Sequence, residues 1–135
     1  METHYKKPGR GKETILLAED DETVRDMALS LLESFGYKVI AAVDGEDAVQ
    51  KFRENIKRIR LLLFDVIMPN KNGIVAFDEI RALAPDMKVI FASGYATEDV
   101  HQRALEDEHV MAISKPYLPS TLLTMVRSLL DKKNG

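Results

Sequence analysis

Glu19 and Asp20, Asp65, Ser93 and Lys115 each follow a short apolar run, at residues 15–18, 61–64, 89–92 and 110–113 respectively. Carboxylates gathered within a few ångströms repel one another, so a site that keeps Glu19, Asp20 and Asp65 together needs a cation. The donors on offer are oxygens alone, which points to Mg2+, an ion that retains several waters and takes one or two carboxylates with a phosphate. Beside such an ion one carboxylate can act as nucleophile and form an aspartyl phosphate. Phosphoryl transfer asks mainly for alignment and charge neutralisation, and the Ser93 hydroxyl and Lys115 ammonium suit the phosphoryl oxygens. Singly these signals are weak. An acidic pair after a strand is commonly a helix cap, Lys-Pro a surface turn, and Asn72-Gly73 and Ser93-Gly94 plain turns. Their weight comes from recurring at the same place in a repeating pattern.

That pattern alternates apolar runs with amphipathic stretches. The four runs above and a fifth at 39–42 fit strands buried on both faces, as in a parallel sheet. Between them Val24, Met27, Ala28, Leu31 and Phe35 follow a helical period, with Gly36 as the glycine after the helix. Asp44 caps a second helix that carries Glu46 and Asp47 in its first turn. Ile74, Phe77 and Ile80 mark a third, ended by Pro85. Thr97, Glu98 and Asp99 open a fourth whose apolar face (Val100, Ala104, Leu105) is thin, so it should be loosely held. Pro119 opens a fifth, with Leu122, Met125, Val126, Leu129 and Leu130 inward and Lys132 and Lys133 at its end. Five strand–helix units predict an α/β fold, a doubly wound parallel sheet with right-handed crossovers and helices on both faces. Ligands of such sheets bind beyond the carboxyl ends of the strands, where the polar residues fall. The run at 39–42 leads only to Val43-Asp44, as an edge strand away from the site would.

The chain has 135 residues, the length of a single domain. Apolar residues at 45% and charged residues at 30% describe a globular composition. Having no cysteine excludes disulfide scaffolds, thiolate metal sites and cysteine nucleophiles. A net charge of −3 and a pI near 5.6 argue against nucleic-acid binding, which needs a basic face. No apolar run approaches the ~20 residues of a membrane helix, and no secretory signal is read, so a cytoplasmic location without membrane contact is expected. Residues 1–13, basic at Lys6, Lys7, Arg10 and Lys12, read as a flexible linker; 14–132 form the domain and 133–135 a tail. His4, His101 and His109 lack metal-ligand spacing and are expected to face solvent.

In order and spacing, the segments ILLAEDDETVR, LLLFDVIMPNKNG, VIFASGY and ISKPY resemble the receiver domain of two-component response regulators, over residues 14 to 132. The resemblance implies a flavodoxin-like (βα)5 sheet of strand order 2-1-3-4-5. It makes Asp65 the phosphoacceptor and Asp20 a direct Mg2+ ligand, with Glu19 acting mainly through water. The Ile67 backbone carbonyl would complete the metal shell with Asp65. Ser93 would bond the phosphoryl group, Lys115 would pair with it, and the Lys115–Pro116 bond would be cis. The phrases SGY and SKPY, with an end just after the fifth helix, most resemble receivers of bacterial hybrid sensor histidine kinases. The implied function is Mg2+-dependent transfer of a phosphoryl group from a phosphohistidine to Asp65, switching a signalling surface, in a protein that catalyses only the turnover of its own aspartate. Its partner would be a histidine kinase or histidine-phosphotransfer domain, in trans or within a hybrid kinase, docking over the first helix and the Pro116-Tyr117 loop. Leu118 and Leu123 on the last helix read either as a contact, for instance a weak homodimer through helices 4 and 5, or as ordinary partial burial.

The chain departs from the family at Ala112, where an aromatic residue usually stands three residues before the lysine. The conformational response should therefore be small and centred on residues 93 to 106. Ile67 and Tyr95, beside the site, are bulky and cannot orient a hydrolytic water, so a long-lived phosphoaspartate is expected. The alternative within this fold is a pseudo-receiver that acts as a phosphorylation-independent interaction module, which the complete set of five polar residues disfavours. An FMN carrier is opposed by the acidic loop after the first run. A dehalogenase-type phosphatase would need its nucleophile there and a second aspartate two residues on, where Glu22 stands.

Overall fold

The apolar runs become five parallel strands, β1 (Thr14–Ala18), β2 (Lys38–Ala42), β3 (Ile59–Asp65), β4 (Lys88–Ser93) and β5 (Val110–Ser114). They form one sheet of order β2-β1-β3-β4-β5. The computed structural model describes residues 9–94 and 98–133. Helices α1 (Glu22–Ser34), α2 (Gly45–Glu54), α3 (Gly73–Leu83), α4 (Glu98–Glu106) and α5 (Pro119–Leu130) alternate with the strands. The expected flavodoxin-like architecture is the observed one.

Two apolar layers hold the sheet between the helices. In β3, Leu61 and Leu63 pack with Leu32, Leu122 and Val126, while Leu62 and Phe64 pack with Phe52, Phe77 and Val100. The period-2 alternation of a strand thus feeds both layers from one sequence. Each of these side chains contributes on the order of 1.5–3 kcal/mol by leaving water. Level register at the carboxyl ends, Ala18 beside Phe64, Asp65 beside Ala92 and Ser93 beside Ser114, brings the following loops to one edge.

Helix starts are fixed locally. Asp21, Asp44 and Asn72 accept hydrogen bonds from the backbone N–H groups of Val24, Asp47 and Val75, while α5 starts with Pro119 and no side-chain cap. Asn72 is therefore a helix cap, more than the plain turn its pairing with Gly73 suggests. Gly36 follows α1 with φ +97°, and a Cβ there would stand 2.2 Å from the Gly11 carbonyl.

The structure corrects several inward faces. In α1 the buried residues are Ala28 and Leu32, and Met27 is 68% exposed. Apolar residues occupy two neighbouring stripes of that helix, and the sheet takes the one through 28 and 32. Leu105 is 83% exposed, leaving Val100 as the fully buried residue of α4. Leu123 is 1% exposed and sits in the core, so Leu118 remains as the outlying apolar residue near α5. His109 is buried just before β5, where its carbonyl accepts from the Val89 N–H; His101 is exposed and His4 lies outside the described residues.

Of the segment read as a linker, residues 1–8 lie outside the described residues. The Gly11 N–H donates to the Phe35 carbonyl at 3.1 Å. Glu13 holds the Arg127 guanidinium through both its oxygens, at 3.2 and 2.6 Å. No described helix is long and apolar enough to cross a membrane.

Candidate functional site

Strand β1 ends at Ala18 and delivers Glu19 and Asp20 to the same edge at which β3 ends in Asp65. Each of the three offers a carboxylate oxygen, and these oxygens lie within 4.8 Å of one another. Glu19 is buried, Asp65 half-buried, and Asp20 open at the mouth. Lys115 reaches in from beyond β5, its Nζ 2.5 Å from Glu19 Oε1 and 3.4 Å from Asp65 Oδ2. The other Glu19 oxygen accepts from the Asp21 N–H at 3.1 Å. Ser93 closes β4, and its carbonyl accepts the Lys115 N–H at 2.8 Å. The Lys115–Pro116 bond that follows is cis, as expected.

Electrostatics reflect the crowding. Desolvation, then the neighbouring Glu19 carboxylate, push Asp20 above the usual carboxylate range. Burial alone would lower Lys115, but its hydrogen bond to Glu19 and the charge of Asp65 outweigh it and raise the ammonium. Among the described residues Lys115 pairs with two of the three carboxylates, while Arg25 donates to the Glu19 and Asp20 carbonyls at 2.8 and 3.5 Å, so the carboxylates keep an excess of negative charge. An oxygen-only donor set of this kind, open at Asp20, fits Mg2+.

The loop after Asp65 is built to approach it closely. The Val66 N–H donates to Ala92 and the Gly73 N–H to Val66. A Cβ on Gly73 would stand 2.1 Å from the Asp65 carbonyl, so the start of α3 requires glycine here. Ile67 is 67% exposed beside the site, between buried Val66 and Met68. All the residues singled out from the sequence, Glu19, Asp20, Asp65, Ile67, Ser93 and Lys115, therefore fall on this edge; Tyr95 lies outside the described residues. The sequence reading missed a contact across the edge. Asp44, read only as a helix cap, also accepts a hydrogen bond from Asn70 in the loop after β3. The available signal was Asn70 itself, in the run Pro-Asn-Lys-Asn-Gly, since asparagine tolerates the left-handed backbone it adopts.

Next to Lys115 an apolar groove of about 450 Å³ runs between α1 and the loop into α5, lined by Val24, Met27, Leu31, Pro116, Tyr117 and Pro119. The residue that leaves the α1 core stripe, Met27, is thus one of its walls.

Comparison with known proteins agrees with this geometry. A family model, response regulator receiver domain, matches residues 15–127. The sensor kinase CckA of Brucella abortus is 33% identical over 124 residues, covering 92% of this chain and 13% of that protein. The solved receiver domain of a hybrid histidine kinase CckA is 34% identical, with TM-score 0.75 and coverage of 87% of this chain and 99% of the other. A chain of the CheX–CheY–BeF3–Mg2+ complex from Borrelia burgdorferi superposes with TM-score 0.81 at 25% identity, covering 89% of this chain and 90% of its own.

Proposed function

The chain belongs to the response regulator receiver domain family, and from that premise we propose that it accepts a phosphoryl group from a phosphohistidine on Asp65 in a Mg2+-dependent step. The observation that carries this is the grouping of Glu19, Asp20 and Asp65 within 4.8 Å, with the Lys115 ammonium touching two of them. Asp20, Asp65 and the Ile67 carbonyl would hold Mg2+, whose charge offsets that of the phosphoryl oxygens. An Asp65 carboxylate oxygen attacks phosphorus and the O–P bond forms. The P–N bond breaks, returning its electron pair to a donor imidazole protonated at its other nitrogen. Lys115 turns from Glu19 and Asp65 toward the arriving phosphoryl oxygens, and the Ser93 hydroxyl donates to one of them. The exposed, apolar Ile67 offers no group to orient a hydrolytic water, which favours a long-lived phosphoaspartate.

The partner in this reading is a helix of a histidine kinase or histidine-phosphotransfer domain, lying in the groove between α1 and the Pro116-Tyr117 loop. What supports it is continuity: Lys115 lines both the groove and the acidic site.

Intact mass after incubation with acetyl phosphate tests the function, with and without Mg2+, for the wild type and Asp65→Asn. The expected result is a gain of one phosphoryl group that needs Mg2+ and is absent from the variant. No gain under any condition would leave a pseudo-receiver acting by binding alone.

A further inference from the structure

The loop after β3 is pinned at its far end to the turn between β2 and α2, from an edge strand that brings no residue to the acidic site. Asn70 Nδ2 donates to Asp44 Oδ2 at 2.7 Å, and the Gly45 N–H donates to the Lys71 carbonyl at 3.0 Å. The approach is so close that a Cβ on Gly45 would stand 2.1 Å from that carbonyl. Asn70 holds φ +66°, a left-handed conformation that costs a residue with a side chain unless its surroundings impose it. Asp44 is 9% exposed and divides its carboxylate: Oδ1 caps α2 through the Asp47 N–H at 2.8 Å, and Oδ2 takes Asn70. It forms no ion pair among the described residues, so hydrogen bonds fix its orientation.

Within the loop the carbonyls of Val66, Pro69 and Lys71 accept from Gly73, Lys71 and Gly45. Those of Ile67, Met68 and Asn70 accept from none of the described residues, and of these the Ile67 carbonyl is the one the proposed metal site would use. We propose that Asp44 and Asn70 are positioning residues for the phosphoacceptor site, setting the backbone of residues 66–72 and through it the Ile67 carbonyl. They touch neither phosphoryl group nor ion. The inference rests on the reading of the site as a Mg2+ site. Groups that orient a metal's ligands are typically worth about 10- to 100-fold in affinity.

The test is calorimetric titration with MgCl2 alone, beside thermal unfolding of the same proteins without metal. Asn70→Gly keeps the left-handed backbone available and removes the amide. Asn70→Asp sets two carboxylates against each other. The exchanged pair, Asp44→Asn with Asn70→Asp, restores a hydrogen bond and retains a good helix cap at position 44. The expected result is about tenfold weaker Mg2+ binding for each single variant, with recovery to within about twofold in the exchanged pair. Single variants that unfold earlier yet bind Mg2+ as the wild type does would overturn the inference, since a purely structural contact behaves that way. A wild type without saturable Mg2+ binding would instead overturn the metal reading and this inference with it.

Discussion

The Lys115 ammonium meets Glu19 across 96 residues of sequence, at 2.5 Å, joining the loop beyond β5 to the end of β1. It occupies charge that a bound divalent ion would otherwise neutralise, so the two compete. Lys115→Ala should bind Mg2+ severalfold more tightly, while its phosphorylation by acetyl phosphate slows by about tenfold for want of a charge on the phosphoryl oxygens. Without metal the variant should also melt earlier, because the buried Glu19 loses its partner, and added Mg2+ should recover part of the loss. Calorimetry, mass-detected kinetics and thermal unfolding read these effects. Weaker Mg2+ binding would refute the competition.

A second ion pair sits far from the site. Hydrogen bonding to Arg127, opposed by partial burial, lowers Glu13 from 4.5 to about 2. The folded carboxyl is the stronger acid, so its contribution is complete above the unfolded value and fades as pH falls from 4.5 toward 2. Glu13→Gln should cost about 2 kcal/mol at neutral pH. The gap to the wild type should narrow steadily through acid, as measured by urea unfolding across that range. A gap independent of pH would assign the loss to packing.

The sheet was legible because its strands are buried on both faces: runs such as Leu61-Leu62-Leu63-Phe64 permit little else between polar helices. The acidic site was legible because the parallel fold places residues just past each strand at one edge, whatever their separation in sequence. Which stripe of a helix meets the sheet was not. The apolar residues of α1 fill two stripes, and only packing decides that Leu32 enters the core while Met27 faces out. The hydrogen bond from Asn70 to Asp44 was hidden for another reason, since a loop-to-loop contact has no period and Asp44 already had a sufficient local role as a cap.

That exposed Met27 yields a prediction that separates chemistry from docking. Met27→Asp puts a charge into the apolar groove beside Lys115 and leaves the core stripe of α1 untouched. Acetyl phosphate, too small to need the groove, should modify the variant at the wild-type rate. Transfer from a phosphorylated histidine-phosphotransfer domain should fall by about tenfold or more, the cost of burying a charge in an apolar contact. Equal losses with both donors would place the effect in the site itself.

Helix α4 is where a response to phosphorylation has least to overcome. Val100 is its fully buried residue, and Arg103 ties it to α3, bonding Asp78 at 2.7 and 3.0 Å and its own Asp99 at 3.0 Å. These contacts are largely exposed, so Arg103→Ala should cost at most about 1 kcal/mol of global stability while amide exchange across 98–106 quickens markedly. Ala112, beside Phe91 in the sheet, has no ring to turn inward. Beryllofluoride with Mg2+ should therefore change exchange on residues 93–106 and leave α5 nearly as it was. A large change on α5 would mean that the signal crosses β5 by packing, without an aromatic ring at position 112.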